Sequence, residues 1–259
     1  MRPNRLRQIW ADGKPVINAW CNMPGAFVAE AVASQGWDAV TIDTQHGLIG
    51  YDVMVAMLQA VTASGVTPLV RVSWNAPGEI MKALDAGAYG VICPMINNRA
   101  ECEAFIKAAR YPPLGQRSFG PIRAALVAGP GYPEESNGEI LTFAMIETAE
   151  GLEKADEITT TPGLDGIYIG PSDLSLSLGG KPMQDNDDPK ILAAFERIVA
   201  SCRKAGIKAG VHTSSVGYSQ KMITMGFDLV TVGADMRWLM SGRREAMQMR
   251  EHIDGKPAT

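Results

Sequence analysis

The sequence predicts an α/β protein folded as a (β/α)8 (TIM) barrel, with one extra helix ahead of the first strand. Eight short β-branched segments alternate with eight helical segments along the 259 residues. Parallel strands follow from this alternation, because each crossover helix returns the chain to the same edge of the sheet. The turn after the first strand reads Cys21-Asn-Met-Pro-Gly-Ala, without the glycine pattern of a dinucleotide-binding fold. Eight repeats in a chain of this length therefore match a barrel better than a doubly wound sheet.

The first half of the chain contains the N-terminal helix and four strand–helix units. Asp12-Gly13 ends a helix predicted over 2–12, and Gly36 and Gly87 end two of the crossover helices. β-branched and apolar runs predict strands at 15–21, 38–43, 68–72 and 90–95. The crossover helices are predicted at 24–35, 51–64, 78–85 and 99–110.

The second half repeats this pattern after a long segment, 111–138, which is predicted to be irregular because of its Pro-Pro and Gly-Pro pairs. Such long loops in compact domains are often functional. A second polar loop is predicted at 171–188. Strands are predicted at 140–146, 166–170, 208–212 and 229–233, and helices at 149–160, 189–205, 215–225 and 236–252. No linker or low-complexity run divides the chain, so residues 1–259 are predicted to form a single barrel domain.

Composition and charge exclude several classes of function. A net charge of −4 and a pI near 5.5 argue against nucleic acid or an anionic membrane as the main partner. No apolar stretch follows the basic start of the chain, so we expect no signal peptide and a cytoplasmic protein. The four cysteines are scattered and are predicted to be buried free thiols. Three histidines are too few for a zinc site built from several imidazoles.

Polar residues stand at the carboxyl ends of several predicted strands, where (β/α)8 barrels place their active sites. Asp43 and His46 follow the second strand, and Arg71 lies at the end of the third. Glu147 follows the fifth strand and Asp173 the sixth. Further residues at such ends are Trp20, Ser172 and His212. A base, a cation and two separated carboxylates from different strands are therefore expected to converge on one polar cluster.

Each of these residues also fits a purely structural role. His46 beside Gly47 is suited to ordering a turn, and Arg71 in an apolar strand is suited to an internal salt bridge. The other structural alternatives are a turn role for Asp43, a helix N-terminal role for Glu147, an Asx turn at Asp173, and packing or pocket-wall roles for Trp20 and His212. The functional interpretation depends on the set and not on any single residue.

Glu147 and Asp173 suggest a site for a hard divalent cation. Mg²⁺ or Mn²⁺ is typically held by one or two carboxylates, and the open positions suit a bidentate 2-oxo acid. The metal would act as a Lewis acid that stabilises an enolate. Arg71 would add a fixed positive charge beside the developing oxyanion, and neutral His46 would serve as the base, directly or through a water.

The positions of the lysines disfavour a Schiff-base mechanism, which needs a lysine in the barrel mouth. Lys14 and Lys208 lie at the wrong ends of strands, and most other lysines fall in predicted helices. Only Lys181, in the loop after the sixth strand, is placed to reach the site. Enolate chemistry stabilised by a metal is therefore preferred over imine chemistry.

Several motifs together resemble the HpcH/HpaI family of metal-dependent (class II) pyruvate aldolases. They cover the chain from about Pro15 to Asp235 in family order: Asp43-Thr-Gln-His46-Gly, Pro68-Leu-Val-Arg71-Val, Leu84-Asp85-Ala-Gly, Pro94-Met95, Arg110-Tyr-Pro-Pro-Leu-Gly, Ile146-Glu147-Thr and Gly170-Pro-Ser-Asp173-Leu-Ser. The resemblance implies a (β/α)8 barrel, a hexamer with the last helix exchanged between subunits, and Mg²⁺, Mn²⁺ or Co²⁺ as cofactor. It also implies reversible cleavage of 4-hydroxy-2-oxo acids to pyruvate, or a related 2-oxo acid such as hydroxypyruvate, plus an aldehyde.

The resemblance assigns roles position by position. His46 matches the family base, Asp43 its dyad partner, and Asp85 the carboxylate that raises its basicity. Arg71 matches the residue that stabilises the transition state. Glu147 and Asp173 match the metal ligands. Ser172 and Asp173 match the residues that offer backbone N–H groups to the substrate carboxylate.

Two positions depart from the family pattern. Gln45 stands where many members have a glutamate beside the base, and Met145 stands where heptanedioate-type members have a glutamine. A thioether cannot donate a hydrogen bond to the substrate, so the donor substrate or its pose is expected to differ.

Two other functions stay open. An acyl-CoA lyase of the citrate-lyase β-subunit kind would need a phosphate-binding patch, for which Arg117 and Arg123 are candidates, and a non-catalytic barrel would bind a 2-oxo acid without needing His46.

Overall fold

Eight parallel strands close into a barrel in chain order, with β1 hydrogen-bonded to both β2 and β8. The computed structural model describes residues 1–254; residues 255–259 of the predicted domain lie outside the described residues. The strands are β1 (Val16–Cys21), β2 (Ala39–Asp43), β3 (Thr67–Arg71), β4 (Gly90–Cys93), β5 (Leu141–Ile146), β6 (Gly166–Ile169), β7 (Lys208–His212) and β8 (Leu229–Ala234). The predicted (β/α)8 barrel is confirmed.

Helices surround the barrel and connect its strands. They are α1 (Arg5–Ala11), α2 (Ala26–Ala33), α3 (Tyr51–Ala63), α4 (Pro77–Asp85), α5 (Arg99–Ala109), α6 (Ile122–Ala128), α7 (Tyr132–Glu139), α8 (Ala149–Glu153), α9 (Ala155–Thr159), α10 (Pro171–Ser177), α11 (Pro189–Ala205), α12 (Val216–Met225), α13 (Asp235–Ser241) and α14 (Arg243–Asp254). α11 shows how local sequence sets their ends. Asp188 caps its first turn by accepting the Lys190 N–H, and Gly206 ends it in the left-handed conformation.

The extra N-terminal helix, α1, covers the amino ends of the strands. Leu6 is fully buried in the apolar cluster that fills the barrel. Trp10 donates its indole N–H to the Asp228 carbonyl and packs edge-on against Phe143. The opposite end of the barrel, where the strands finish, remains open for a site.

A second apolar core lies between the strands and the surrounding helices. β2, β3 and β5 are buried along their whole length, which accounts for their nearly continuous apolar sequences. Most helices up to α13 contribute an apolar face, as in α11, where Phe195 and Ile198 are fully buried. The four cysteines are buried and unpaired, which confirms the prediction of free thiols.

The predicted loops and long helices differ from the structure in four places. The segment 111–138, predicted to be irregular, contains α6 and most of α7, and the predicted polar loop 171–188 begins with α10. Proline occupies the first turn of α7 and of α10, where its missing N–H costs no intrahelical bond. The helix predicted at 149–160 is divided into α8 and α9, and that predicted at 236–252 into α13 and α14.

Across residues 1–254, the helices are all too short or too polar to cross a bilayer.

Candidate active site

An open cavity of about 290 Å³ lies at the carboxyl ends of the strands. It brings together residues from seven of the eight strands or the loops that follow them. Of the residues predicted to converge, it is lined by Trp20, Asp43, His46, Arg71, Glu147, Ser172, Asp173 and His212. Residues predicted from strand-end positions therefore share one cavity, although they are spread over almost 200 positions of sequence.

Arg71 and Asp43 form a buried ion pair at the centre of one wall. Register places the two residues opposite each other at the ends of β3 and β2. The guanidinium Nε lies 2.9 Å from Asp43 Oδ1, and Nη2 lies 2.5 Å from Oδ2. Its Cζ lies 4.9 Å from the centroid of the Trp20 ring. Arg71 Nη1 has no hydrogen bond within residues 1–254, so it is available to a substrate oxygen.

Asp43 is held as a carboxylate by several donors. Besides Arg71, it accepts the Trp20 indole N–H at 3.2 Å and the Asn22 amide at 2.9 Å. Burial alone would raise the pKa of Asp43, but the hydrogen bonds and positive charge of Arg71 outweigh burial and lower it. Asp43 is thus a fixed negative charge that orients Arg71 and Trp20.

His46 is exposed at the mouth of the cavity, in the loop after β2. Asp43 Oδ1 accepts the backbone N–H groups of Gln45 at 3.0 Å and His46 at 3.3 Å. The loop is tight, because a Cβ on Gly47 would lie 2.2 Å from the Asp43 carbonyl oxygen. The expected dyad between the two side chains is not formed in this structure. Asp43 positions His46 through the backbone, since Arg71, Trp20 and Asn22 occupy its carboxylate.

Glu147 directly follows β5 and is buried, with 3% of its surface exposed. Its Oε1 accepts the Met95 N–H at 2.8 Å, and Met95 adopts a left-handed backbone (φ 57°), which is uncommon for a residue with a side chain. Burial raises the pKa of Glu147 to about 7, and the nearby charge of Asp173 adds to the increase. A buried carboxylate is normally stabilised by a cation, and Arg71 only partly offsets the effect of burial on Glu147.

The space beside Glu147 suits a divalent cation. A Cβ on Gly170 would collide with Glu147 Oε2, so glycine at this position keeps that oxygen accessible. Two neighbouring carboxylates, Glu147 and Asp173, with Glu147 Oε2 free of protein donors, are the kind of donor set that Mg²⁺ or Mn²⁺ accepts. No group of three or more metal-binding side chains occurs within residues 1–254, so water and substrate oxygens would complete the coordination.

Ser172 and Asp173 lie in the first turn of α10, which begins directly after Gly170. The first N–H groups of a helix have no partner within the helix. Both residues line the cavity, and Asp173 is exposed to it. Their backbone N–H groups are therefore placed to meet a carboxylate in the cavity.

A sequence model of the HpcH/HpaI aldolase/citrate lyase family matches residues 17–241. The chain belongs to this family. The family consists of aldolases and lyases, so the protein is an enzyme of that kind.

Individual members of the family are similar over nearly the whole chain. A hydroxypyruvate/pyruvate aldolase from Rhizorhabdus wittichii is 40% identical, over 94% of this chain and 97% of its own. A 4-hydroxy-2-oxo-heptane-1,7-dioate aldolase from Shigella flexneri is 31% identical, over 95% of this chain and 92% of its own. The crystal structure of a family protein from Burkholderia cenocepacia is 29% identical, with a TM-score of 0.87 over 96% of this chain and 99% of that one.

Asp85 does not reach the cavity within this chain. It ends α4, a few residues before β4 starts, and therefore lies toward the amino ends of the strands. Its carboxylate pairs with Arg117 Nη2 at 2.6 Å. The role that the family resemblance gives to Asp85 is thus not carried by any contact with His46 in the chain described; here Asp85 neutralises a buried arginine.

Sequence reasoning missed four residues that shape the cavity. Asn22, one residue after β1, was detectable by the same strand-end rule that found Asp43. Gly170 stood inside a motif, but the sequence did not show that the absence of a side chain there leaves room for the Glu147 carboxylate. Met95 stood inside the Pro94-Met95 motif but acts through its backbone, and Gln184 lies in the polar loop predicted at 171–188, where no pattern distinguished it from its neighbours.

Proposed function

We propose that this protein is a metal-dependent aldolase that reversibly cleaves 4-hydroxy-2-oxo acids to pyruvate, or a related 2-oxo acid such as hydroxypyruvate, and an aldehyde. The observation that carries the proposal is that two carboxylates, Glu147 and Asp173, line the same cavity as Arg71 and His46. Relatives named for this chemistry support the choice of substrate class.

The residues of the cavity divide the work between binding and proton transfer. Glu147 and Asp173 would hold a divalent cation, which supplies Lewis-acid stabilisation of negative charge on the substrate oxygens. Ser172 and Asp173 would bind the substrate carboxylate through their N–H groups. Trp20 forms the wall on which Arg71 stacks.

Arg71 and His46 would carry the chemical steps. The free Nη1 of Arg71 would donate to the oxyanion, and the paired Asp43 keeps the guanidinium in place. In cleavage, His46 would take the proton of the C4 hydroxyl, directly or through a water, as the bond between C3 and C4 breaks. In the reverse direction, His46 would remove a proton from C3 of the donor, the resulting enolate carbon would attack the aldehyde carbonyl carbon, and His46 would deliver the proton to the oxygen that becomes the C4 hydroxyl. In cleavage, the proton taken from the C4 hydroxyl would pass from His46 to C3.

The alternative of an acyl-CoA lyase has less support in the structure. Arg117 is 3% exposed and bound to Asp85 and Tyr132, and Arg123 donates to the Ala86 carbonyl at 2.5 Å. Neither arginine lines the cavity, so they do not form a phosphate-binding patch at its mouth.

The experiment couples pyruvate release from 4-hydroxy-2-oxo acids to lactate dehydrogenase. We expect EDTA to abolish turnover, Mg²⁺ or Mn²⁺ to restore it, and borohydride with pyruvate to leave the enzyme active. His46→Ala should lower kcat by about 10²- to 10⁴-fold, the usual contribution of a general base, while metal affinity measured by calorimetry is retained. Trapping of pyruvate on a lysine would contradict the mechanism, and binding of 2-oxo acids without any turnover would favour the non-catalytic barrel.

A further inference from the structure

His212 is a cavity residue that the proposed mechanism does not use. It ends β7, lines the cavity and packs edge-on against Trp20, with ring centroids 4.9 Å apart. Its Nδ1 lies 3.3 Å from the hydroxyl of Tyr168, a residue of β6 that is fully buried. Nε2 has no hydrogen-bond partner within residues 1–254.

A chain of hydrogen bonds inside the barrel determines which nitrogen of His212 carries the proton. It starts at Asn18 on β1, whose amide faces the carbonyl oxygens of Ala19 and Ala39, each 3.2 Å away. Because carbonyl oxygens only accept, the amide nitrogen must face them. The Asn18 oxygen then faces Thr231 Oγ1 at 2.8 Å and accepts its proton.

The same argument passes along the chain one hydroxyl at a time. Thr231 has a single hydroxyl proton and donates it in the hydrogen bond to the Asn18 oxygen. The Thr231 oxygen must therefore accept the hydrogen bond from the Tyr168 hydroxyl, 2.7 Å away. Tyr168 has then used its proton and can only accept from His212 Nδ1. His212 is thereby fixed as the tautomer protonated on Nδ1, and Nε2 keeps its lone pair as an acceptor.

Burial supports the uncharged form of this ring. It lowers the pKa of His212 to about 4, and the nearby charge of Arg71 lowers it further, so the ring is neutral at physiological pH. Nε2 of the neutral ring is a hydrogen-bond acceptor, and of the uncharged substituents that a substrate can present to it, a hydroxyl group is the best donor. A methyl group in the same place would leave Nε2 without a partner.

The position of His212 indicates which substrate would supply that hydroxyl. His212 lies with Trp20 and Tyr168, which are 2% and 0% exposed, on the inner wall of the cavity, whereas His46 stands exposed at the mouth. In the proposed function, the 2-oxo acid donor would bind inside, against the carboxylates and Arg71, and the aldehyde would approach from the mouth.

We propose that His212 is a specificity-determining residue whose Nε2 accepts a hydrogen bond from a hydroxyl on C3 of the donor, so that the cavity favours 3-hydroxy-2-oxo acids over pyruvate. The inference rests on the proposed aldolase function and deepens it by naming the donor class. Met145 on the same cavity offers no competing donor or acceptor of comparable strength.

The first test measures the ratio of kcat/KM for hydroxypyruvate to that for pyruvate, with one common aldehyde. His212→Leu removes the acceptor and should lower this ratio by about tenfold, the size expected for one uncharged hydrogen bond. His212→Gln, which restores an acceptor oxygen, should recover part of it. Tyr168→Phe should lower it by less, because the tautomer is then no longer fixed. The exposed residue His252 provides a matched control, since His252→Leu should leave the ratio unchanged.

Two direct measurements do not depend on turnover. Calorimetry on the metal-loaded protein should show tighter binding of hydroxypyruvate than of pyruvate, and His212→Leu should remove the difference. Solid-state ¹⁵N NMR of histidine-labelled protein should show one histidine, absent in His212→Leu, protonated on Nδ1. An unchanged preference in His212→Leu, no preference in the wild type, or protonation on Nε2 would each overturn the inference. Turnover of neither donor would count against the aldolase function, while calorimetry and NMR would still decide the role of His212.

Discussion

At the scale of single residues, the candidate metal site depends on the absence of a side chain at Gly170. A Cβ there would lie 2.4 Å from Glu147 Oε2 and 3.1 Å from Met145 Cε. We expect Gly170→Ala to displace the carboxylate and to weaken Mg²⁺ or Mn²⁺ binding by at least about tenfold, in line with the sensitivity of metal sites to ligand orientation. Calorimetric titration with the metal measures the effect.

Gly50 provides the matched control for this change. Both glycines precede a helix as its N-cap, and neither cap is made by a side chain. A Cβ on Gly50 would meet nothing within 4 Å. Both variants therefore lose the same helix-capping preference, and only Gly170→Ala should change metal affinity. Equal affinities in the two variants would show that Glu147 Oε2 does not need this space.

His212 should make the protein sensitive to acid. Burial, with Arg71, lowers its pKa from about 6.5 to about 4, against smaller opposing effects of Asp43 and Asp185. Between these values the unfolded chain binds a proton that the folded chain does not, so acid favours unfolding. The stability contribution is complete above pH 6.5 and is lost as the pH falls toward 4.

Urea unfolding at pH 7 and at pH 5 measures this sensitivity. Replacing the imidazole in His212→Gln should reduce the loss of unfolding free energy between the two values. The control His252→Gln, at an exposed position on α14, should lose as much as the wild type. An identical loss in all three proteins would show that His212 is not held neutral.

At the scale of elements, Arg110 connects the end of α5 to the strands β5 and β6 at their amino ends. Its guanidinium donates to the carbonyls of Ile140 at 2.7 Å and Gly163 at 2.9 Å, and pairs with Asp165 at 2.7 Å. Arg110 is 3% exposed, so its removal would leave carbonyls and a carboxylate short of donors in a buried site.

We expect Arg110→Met to lower the free energy of unfolding by about 3 kcal/mol, the usual penalty for breaking a buried charged network. Arg7 also contacts Asp165, at 2.7 Å, and limits the loss. Arg99→Met breaks an exposed pair with Glu103 and should cost less than about 1 kcal/mol. Urea denaturation compares the two variants, and equal losses would contradict a clamping role for Arg110.

At the scale of the whole molecule, α14 buries none of its side chains against the rest of residues 1–254. None of its residues is buried, and Met247, Met249 and Ile253 are 46%, 61% and 63% exposed. Isolated helices of this length are marginal in water, so a second copy of the chain is the expected partner. This agrees with the hexamer, with an exchanged last helix, that the family resemblance implies.

Light scattering after size exclusion should give the mass of an oligomer, six chains in the proposed case. Deleting residues 243–259 should shift the mass toward the monomer. Replacing Arg250 on the same helix by lysine keeps its charge and should leave the mass unchanged. A full-length protein that runs as a monomer would contradict the role proposed for α14.

Local patterns in the sequence were sufficient for the strands and for most of the cavity. A strand such as β3 is apolar along its length and is bounded by turn residues, so its end at Arg71 follows from nearby positions. The same reasoning failed for α6 and α7, because both are short helices next to proline and glycine residues, which the local pattern marks as loop. The separation of α13 from α14 was likewise not visible in the periodicity.

The sequence by itself determined the barrel, the strand ends and the set of polar residues that meet there, because these follow from hydrophobic period and chain order. Tertiary structure decided how those residues are connected. In the folded chain, Asp43 forms an ion pair with Arg71 and no hydrogen bond with the His46 ring. Asp85 pairs with Arg117. Hydrogen bonds link Asn18 to His212 by way of Thr231 and Tyr168. Hydrogen bonds depend on distances between atoms far apart in sequence, and only the closed barrel brings those atoms into contact.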